Sequence, residues 1–155
     1  MKNIVLLFAA LFFSVTGFAQ SAQEEVDLLQ SLYGMQKKEI VAEFIKLEGT
    51  QKEAFWKLYD AYEIERKALG VSRINLLGSY AENYGMLDDA KIDAMVKEMN
   101  DLGLKNDKLI STYYGKMKKP AGVKAAAQFT QIEYYLLSTI RAEILEEIPF
   151  IGELD

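Results

Sequence analysis

The stretch from Leu47 to Tyr84, LEGTQKEAFWKLYDAYEIERKALGVSRINLLGSYAENY, decides the fold. Phe55, Tyr59, Tyr62, Arg66, Leu69, Arg73, Leu76, Tyr80 and Tyr84 recur at steps of three and four. That spacing places them on one face of an α-helix. Trp56, Leu58 and Leu77 widen the stripe. Gly49 lets the chain turn beforehand, and Thr50 with Glu53 has the spacing of a capping box, so the reading starts the helix at Thr50. An unbroken helix to Tyr84 spans roughly 50 Å at about 1.5 Å per residue. Gly70 and Gly78 mark a bend or a close helix approach within it.

The segments on either side read as helices that fold back along this one. Glu24 to Leu32 carries Val26, Leu28, Leu29 and Leu32, enough for a short helix with acids in its first turn. Gln36 to Leu47 resumes helical spacing with Ile40, Val41, Phe44 and Ile45. Gly85 closes the long helix, and Asp88 or Asp89 caps the next. Ile92, Met95, Val96, Met99, Leu102, Leu109, Ile110, Tyr113 and Met117 form the next apolar set; Gly103 and Asn106 predict a kink near residues 100–106. A last helix runs from Ala121 to Glu147, with Val123, Ala126, Phe129, Ile132, Leu136, Ile140 and Ile144 inward, and Pro149 stops it. Phe150 and Ile151 then dock on the bundle. No strand-like alternation of useful length is present. The expected architecture is all-α, a long-helix hairpin or irregular four-helix bundle with coiled-coil-like packing.

Residues 1–19 read as a secretory signal peptide. Lys2 gives the basic start, Ile4 to Phe13 the apolar run, and Gly17 and Ala19 the small residues before cleavage at Gln20. The apolar run falls short of the roughly 20 residues of a transmembrane helix. The reading is an exported, periplasmic chain with one domain over residues 20–155 and no transmembrane segment after cleavage. Loss of Lys2 moves the net charge from −5 to −6. Acidic balance argues against nucleic acid as a partner, since such binding rests on basic surface. There are no cysteines, so packing alone stabilises the fold, and no histidines, which excludes His-dependent bases, triads and metal sites.

No catalytic constellation emerges, and the reading is not an enzyme: catalytic residues none, metal none, cofactors none. Glu143, Glu146 and Glu147, and Asp88, Asp89 and Asp93, read as solvated helix faces or helix starts. Trp56, Tyr59, Tyr62, Tyr80 and Tyr84 with Arg66 and Arg73 are residue types that dominate binding hot spots. They form the candidate client-binding face, and the plainer alternative makes most of them core and rim. Gln131 and Glu133 flank Ile132 near the inner face of the last helix, where they can bond Arg66, Arg73 or a tyrosine hydroxyl and fix helix register.

Three motifs carry a resemblance. Leu47 with Gln51, then Phe55-Trp56 with Tyr59 and Tyr62; Phe129-x-Gln131-Ile132-Glu133; and Ile148-Pro149 together resemble a group of exported bacterial helical proteins related to the Spy/CpxP periplasmic superfamily. Its hallmark is a Leu-Thr-x-x-Gln motif opening a helix; here Glu48 stands in the Thr position. The resemblance implies an extended helical fold, often a homodimer, and either an ATP-independent, stress-protective chaperone or a modulator of envelope-stress signalling. Clients or partners would be unfolded or envelope proteins. The alternative is a partner-specific regulatory or structural envelope protein without general chaperone activity.

Overall fold

The computed structural model describes residues 36–153. The signal peptide expected over residues 1–19 and the helix expected over Glu24 to Leu32 lie outside the described residues. Every regular element among the described residues is helical: α1 through 36–44, α2 Gly49–Asn83, a 3-10 turn Tyr84–Met86, α3 Asp89–Met117 and α4 Val123–Glu147. The all-α long-helix bundle expected from the periodicity is the fold. No helix among the described residues is long and apolar enough to cross a membrane.

Side-chain contacts give the directions of the helices. Tyr62 pairs with Tyr113, and Tyr113 with Glu65, across a connection at residues 84–88, so α2 and α3 run antiparallel. Between α2 and the α4 side the sequence offset stays almost constant. It is 71 for Tyr62 with Glu133 and 69 for Tyr80 with Pro149. Those two helices therefore run parallel and in register. In α1, Lys38 meets Asp60 and Lys37 meets Glu63, so α1 runs against α2.

The core sits where α1, the first half of α2, the second half of α3 and the start of α4 converge. Phe55, Tyr59, Tyr62, Ile110, Met117 and Phe129 are buried there. The Tyr62 ring meets Phe129 edge-on at 5.0 Å and Tyr113 at 5.5 Å. Such pairs add about 0.5–1.5 kcal/mol beyond area burial. Ala121, Ala125 and Ala126 are buried at the same place, and their small side chains let α4 approach.

Four local details differ from the expectations. The box Thr50/Glu53 does not cap α2. Glu48 is the N-cap, in extended backbone with no side-chain cap bond, and Gly49 at φ 53 already opens the helix. The left-handed glycine starts the turn one residue early, so the Thr50 hydroxyl falls inside the helix. α1 ends at residue 44 rather than Leu47, because Glu48 and Gly49 need a non-helical approach and Ile45 turns into the core. No break interrupts α3, which is one helix from Asp89 to Met117. The buried Asn106 donates Nδ2 to Leu102 O at 2.9 Å, so its side chain is satisfied within the helix. Leu102, Leu109 and Ile110 supply the packing that carries α3 across Gly103. Likewise α2 continues through Gly70 and Gly78.

Other boundaries follow the sequence closely. Asp88 caps α3, accepting from Lys91 N at 2.8 Å. α4 starts at Val123 rather than Ala121, because Gly122 at φ 93 stands just before it. The apolar tail does not dock by its side chains, since Phe150 is 70% exposed. Its backbone is held instead: Tyr80 OH donates to Pro149 O at 2.7 Å and Tyr84 OH to Phe150 O at 2.5 Å.

Phe129 anchors α4 against both other long helices. Phe129→Ala should lower unfolding stability by about 3–5 kcal/mol in urea titration, and Phe129→Leu by clearly less.

Candidate ligand-binding cleft

A buried charge cluster closes one end of the candidate site. Lys37 is only 2% exposed, and its Nζ donates to Glu63 Oε1 and to Glu133 Oε2, both at 2.6 Å. Tyr62 OH donates to the same Glu133 oxygen at 2.6 Å. Arg66 Nε donates to Glu63 Oε1 at 2.9 Å. The ammonium also lies 5.1 Å from the Tyr62 ring centre. One lysine thus ties α1 to α2 and α4, with two carboxylates, one guanidinium and an aromatic face around it.

The two carboxyls respond differently to the same lysine. Burial works to raise the Glu63 carboxyl, but Lys37 and Arg66 outweigh it and hold the group below its ordinary 4.5. Burial raises Glu133, and the opposing pull of Lys37 and Tyr62 offsets only part of that. Burial and then the neighbouring Glu133 push the Tyr62 hydroxyl up, so it stays a donor. Burial and the Glu65 hydrogen bond push Tyr113 up to about 12.

From this cluster a cleft of about 110 Å³ runs between α2 and α4. Arg66, Leu69, Arg73, Ile74 and Leu77 form one wall; Leu136, Leu137, Ile140 and Ile144 form the other. Asn106 of α3 lies at its base, and the cleft is partly open to solvent. Its existence follows from the register. Two parallel helices present stripes at steps of three and four, and Gly70 offers no side chain to fill the gap between them.

The expected client-binding face separates into three groups. Tyr59, Tyr62 and Tyr80 are buried, which corrects their assignment to a surface. Apolar stripe residues of the long helix pack on α3 and α4, and each aromatic ring carries much area to bury. Trp56 and Tyr84 are half-buried; Lys38 Nζ lies 5.2 Å from the Trp56 ring centre, and Tyr84 holds the tail. Arg66 and Arg73 are the members of the set that reach the cleft together with Tyr62. Among the motif residues, Phe55, Phe129 and Glu133 are buried, whereas Gln51 and Gln131 are exposed. Leu47 is half-buried against the core and Pro149 gives its carbonyl to Tyr80. Glu133 bonds a tyrosine hydroxyl, as its place on α4 predicts; Gln131 faces outward.

Lys37 is the residue that sequence reasoning missed. In Lys37-Lys38 it resembles a solvated pair, yet it stands four residues before Val41 and eight before Ile45. That register puts it on the buried face of α1. Arg141 was also missed; it lies between the cleft residues Ile140 and Ile144. Among the described residues no group of three His, Cys, Asp or Glu side chains gathers as a metal site would require.

Removal of Lys37 tests the cluster. Lys37→Met should destabilise by about 3–5 kcal/mol near neutral pH, because it strands two buried carboxylates. The deficit should shrink as pH falls and those carboxylates protonate. In the native chain the signs oppose. The Glu63 contribution is complete above 4.5 and is lost as pH falls through its lower folded value. That of Glu133 is complete below 4.5 and is lost as pH rises through its elevated value. Urea titrations of both chains across the acid range measure each trend.

No family model, no curated protein and no solved structure matches the chain.

Proposed function

We propose that this chain is an exported, chaperone-like binding protein of the periplasm that captures apolar segments of partly unfolded proteins without nucleotide. The observation that supports the reading is the α2–α4 cleft: aliphatic on both walls, partly open, and bordered by Arg66 and Arg73. Client side chains enter the cleft while the client backbone stays in water at its open side. The motif resemblance built on Leu47, Gln51 and Phe129 to Glu133 points the same way.

Light scattering of two unrelated, denaturant-unfolded proteins tests the proposal, with an inert acidic protein as control. The chain should suppress aggregation of both at near-stoichiometric ratio. Ile140→Glu places a charge on the aliphatic wall, and about tenfold more of that variant should be needed for the same suppression, with helical circular dichroism retained. Suppression of neither client would overturn the reading in favour of a protein specific for one envelope partner.

A further inference from the structure

Among the described residues, two guanidinium groups are without a paired carboxylate: Arg73, which lines the cleft, and Arg141, next in sequence to the wall residue Ile140. Arg66 is engaged by Glu63. Arg73 differs: its Nε is buried without a hydrogen-bond partner. Arg141 differs in the same way, with Nε and Nη2 both buried and unpartnered. Among the described residues, no carboxylate lies within ion-pair distance of either. Buried charges are ordinarily paired, because desolvating a charge alone is costly. Burial holds Arg73 below the ordinary guanidinium value, and the positive charge of Arg141 lowers it further. An anion bound between the two would relieve both effects.

The rest of the lining restricts what that anion carries. Leu69, Leu77, Leu137, Ile140 and Ile144 offer hydrocarbon only. At the far end Lys37 is engaged by two carboxylates and the Asn106 amide by the Leu102 carbonyl, while Glu133 Oε1 is buried without a hydrogen-bond partner. Against the aliphatic walls, a ligand with amides or hydroxyls along its length would bury them unpaired, whereas an alkyl chain would not. An apolar cavity of about 150 Å³ admits a six-carbon ring. The 110 Å³ here suits a chain of somewhat fewer carbons, with the remainder leaving through the open side. The guanidinium fork matches a carboxylate in two parallel hydrogen bonds.

We propose that the cleft between α2 and α4 binds a single-chain alkyl carboxylate, its carboxylate on Arg73 and Arg141 and its chain along Leu69, Leu77, Leu137 and Ile140. The ligand class is that of a fatty acid. The site is the cleft named above, but the proposal does not depend on proteins being its clients. A chain that fails to suppress aggregation and still binds the carboxylate would separate the two.

Isothermal titration calorimetry of the full chain tests it, with decanoate, decan-1-ol, decyltrimethylammonium and acetate, each below its aggregation limit and near neutral pH. Decanoate should bind one to one. Acetate should give no measurable binding, and the alcohol and the ammonium should bind at least about tenfold more weakly, as a charge-assisted hydrogen bond requires. Arg73→Gln and Arg141→Gln should each weaken decanoate by about tenfold and leave the alcohol unchanged. Lys105→Gln, an exposed site paired with Asp101, should change neither. Equal affinity for decanoate, the alcohol and the ammonium would overturn the proposal, as would absence of decanoate binding. So would decanoate affinity unchanged in a folded arginine variant. The comparison of headgroups on the native chain decides the matter even where an arginine variant loses its helical signal.

Discussion

Lys37 carries the charge on which three helices converge. Its ammonium sits between Glu63 of α2 and Glu133 of α4, beneath the Tyr62 ring, and almost nothing of it reaches water. A buried ion pair of this kind is not in itself a strong source of stability, because desolvation cancels much of the attraction. What it imposes is specificity. The lysine is satisfied only when α1, α2 and α4 stand at one register, and every other register strands a charge. The constant offset between α2 and the α4 side is the visible consequence, from Tyr62 with Glu133 to Tyr80 with Pro149.

That register also creates the cleft. Beyond Tyr62 the α2 stripe passes from aromatic to aliphatic and arginine, and α4 passes from Phe129 to leucine and isoleucine. The aromatic half closes tightly through edge-to-face contacts. The other half, with shorter side chains and Gly70, leaves a gap. The tail supplies a second fastening where Tyr80 and Tyr84 hold the backbone after Pro149. Packing at one end and hydrogen bonds at the other thus keep two parallel helices apart between them. A groove of that kind is open to an occupant without any movement of the core.

The charge balance along the groove is uneven for a physical reason. Near the core, acids and bases neutralise one another: Lys37 and Arg66 against Glu63 and Glu133. Farther along, Arg73 lines the cleft and Arg141 follows the wall residue Ile140, and among the described residues neither is ion-paired with a carboxylate. That second arrangement does not favour stability, since like charges repel and burial holds Arg73 below the ordinary guanidinium value. Functional sites are where such costs persist, and the reading of the cleft as a binding site rests on the contrast between its two ends.

Periodicity alone carried most of the architecture. The steps of three and four from Phe55 to Tyr80 predict α2 and its buried face, and Asp88 and Pro149 mark boundaries where the chain obeys them. Local chemistry misled where packing outweighed it: Gly103 and Asn106 read as a kink or break, yet Leu102, Leu109 and Ile110 carry α3 through them as one helix. The site was legible only in fragments. Arg66, Arg73 and Glu133 stand out on their stripes, but a stripe does not say which of its members meet a neighbour and which meet water. Tyr59 and Tyr62 therefore stood open between a binding face and the core, and burial places them in the core. Lys37 drew no notice, because a lysine pair is ordinarily solvated. The sequence by itself determined the long helices and their apolar stripes to within a few residues, since these depend on residues close in the chain. Tertiary structure alone decided that Lys37 meets Glu63 and Glu133, and that Arg73 feels the positive charge of Arg141. Those pairings join residues far apart in sequence, and their partners are chosen by helix register rather than by any local preference.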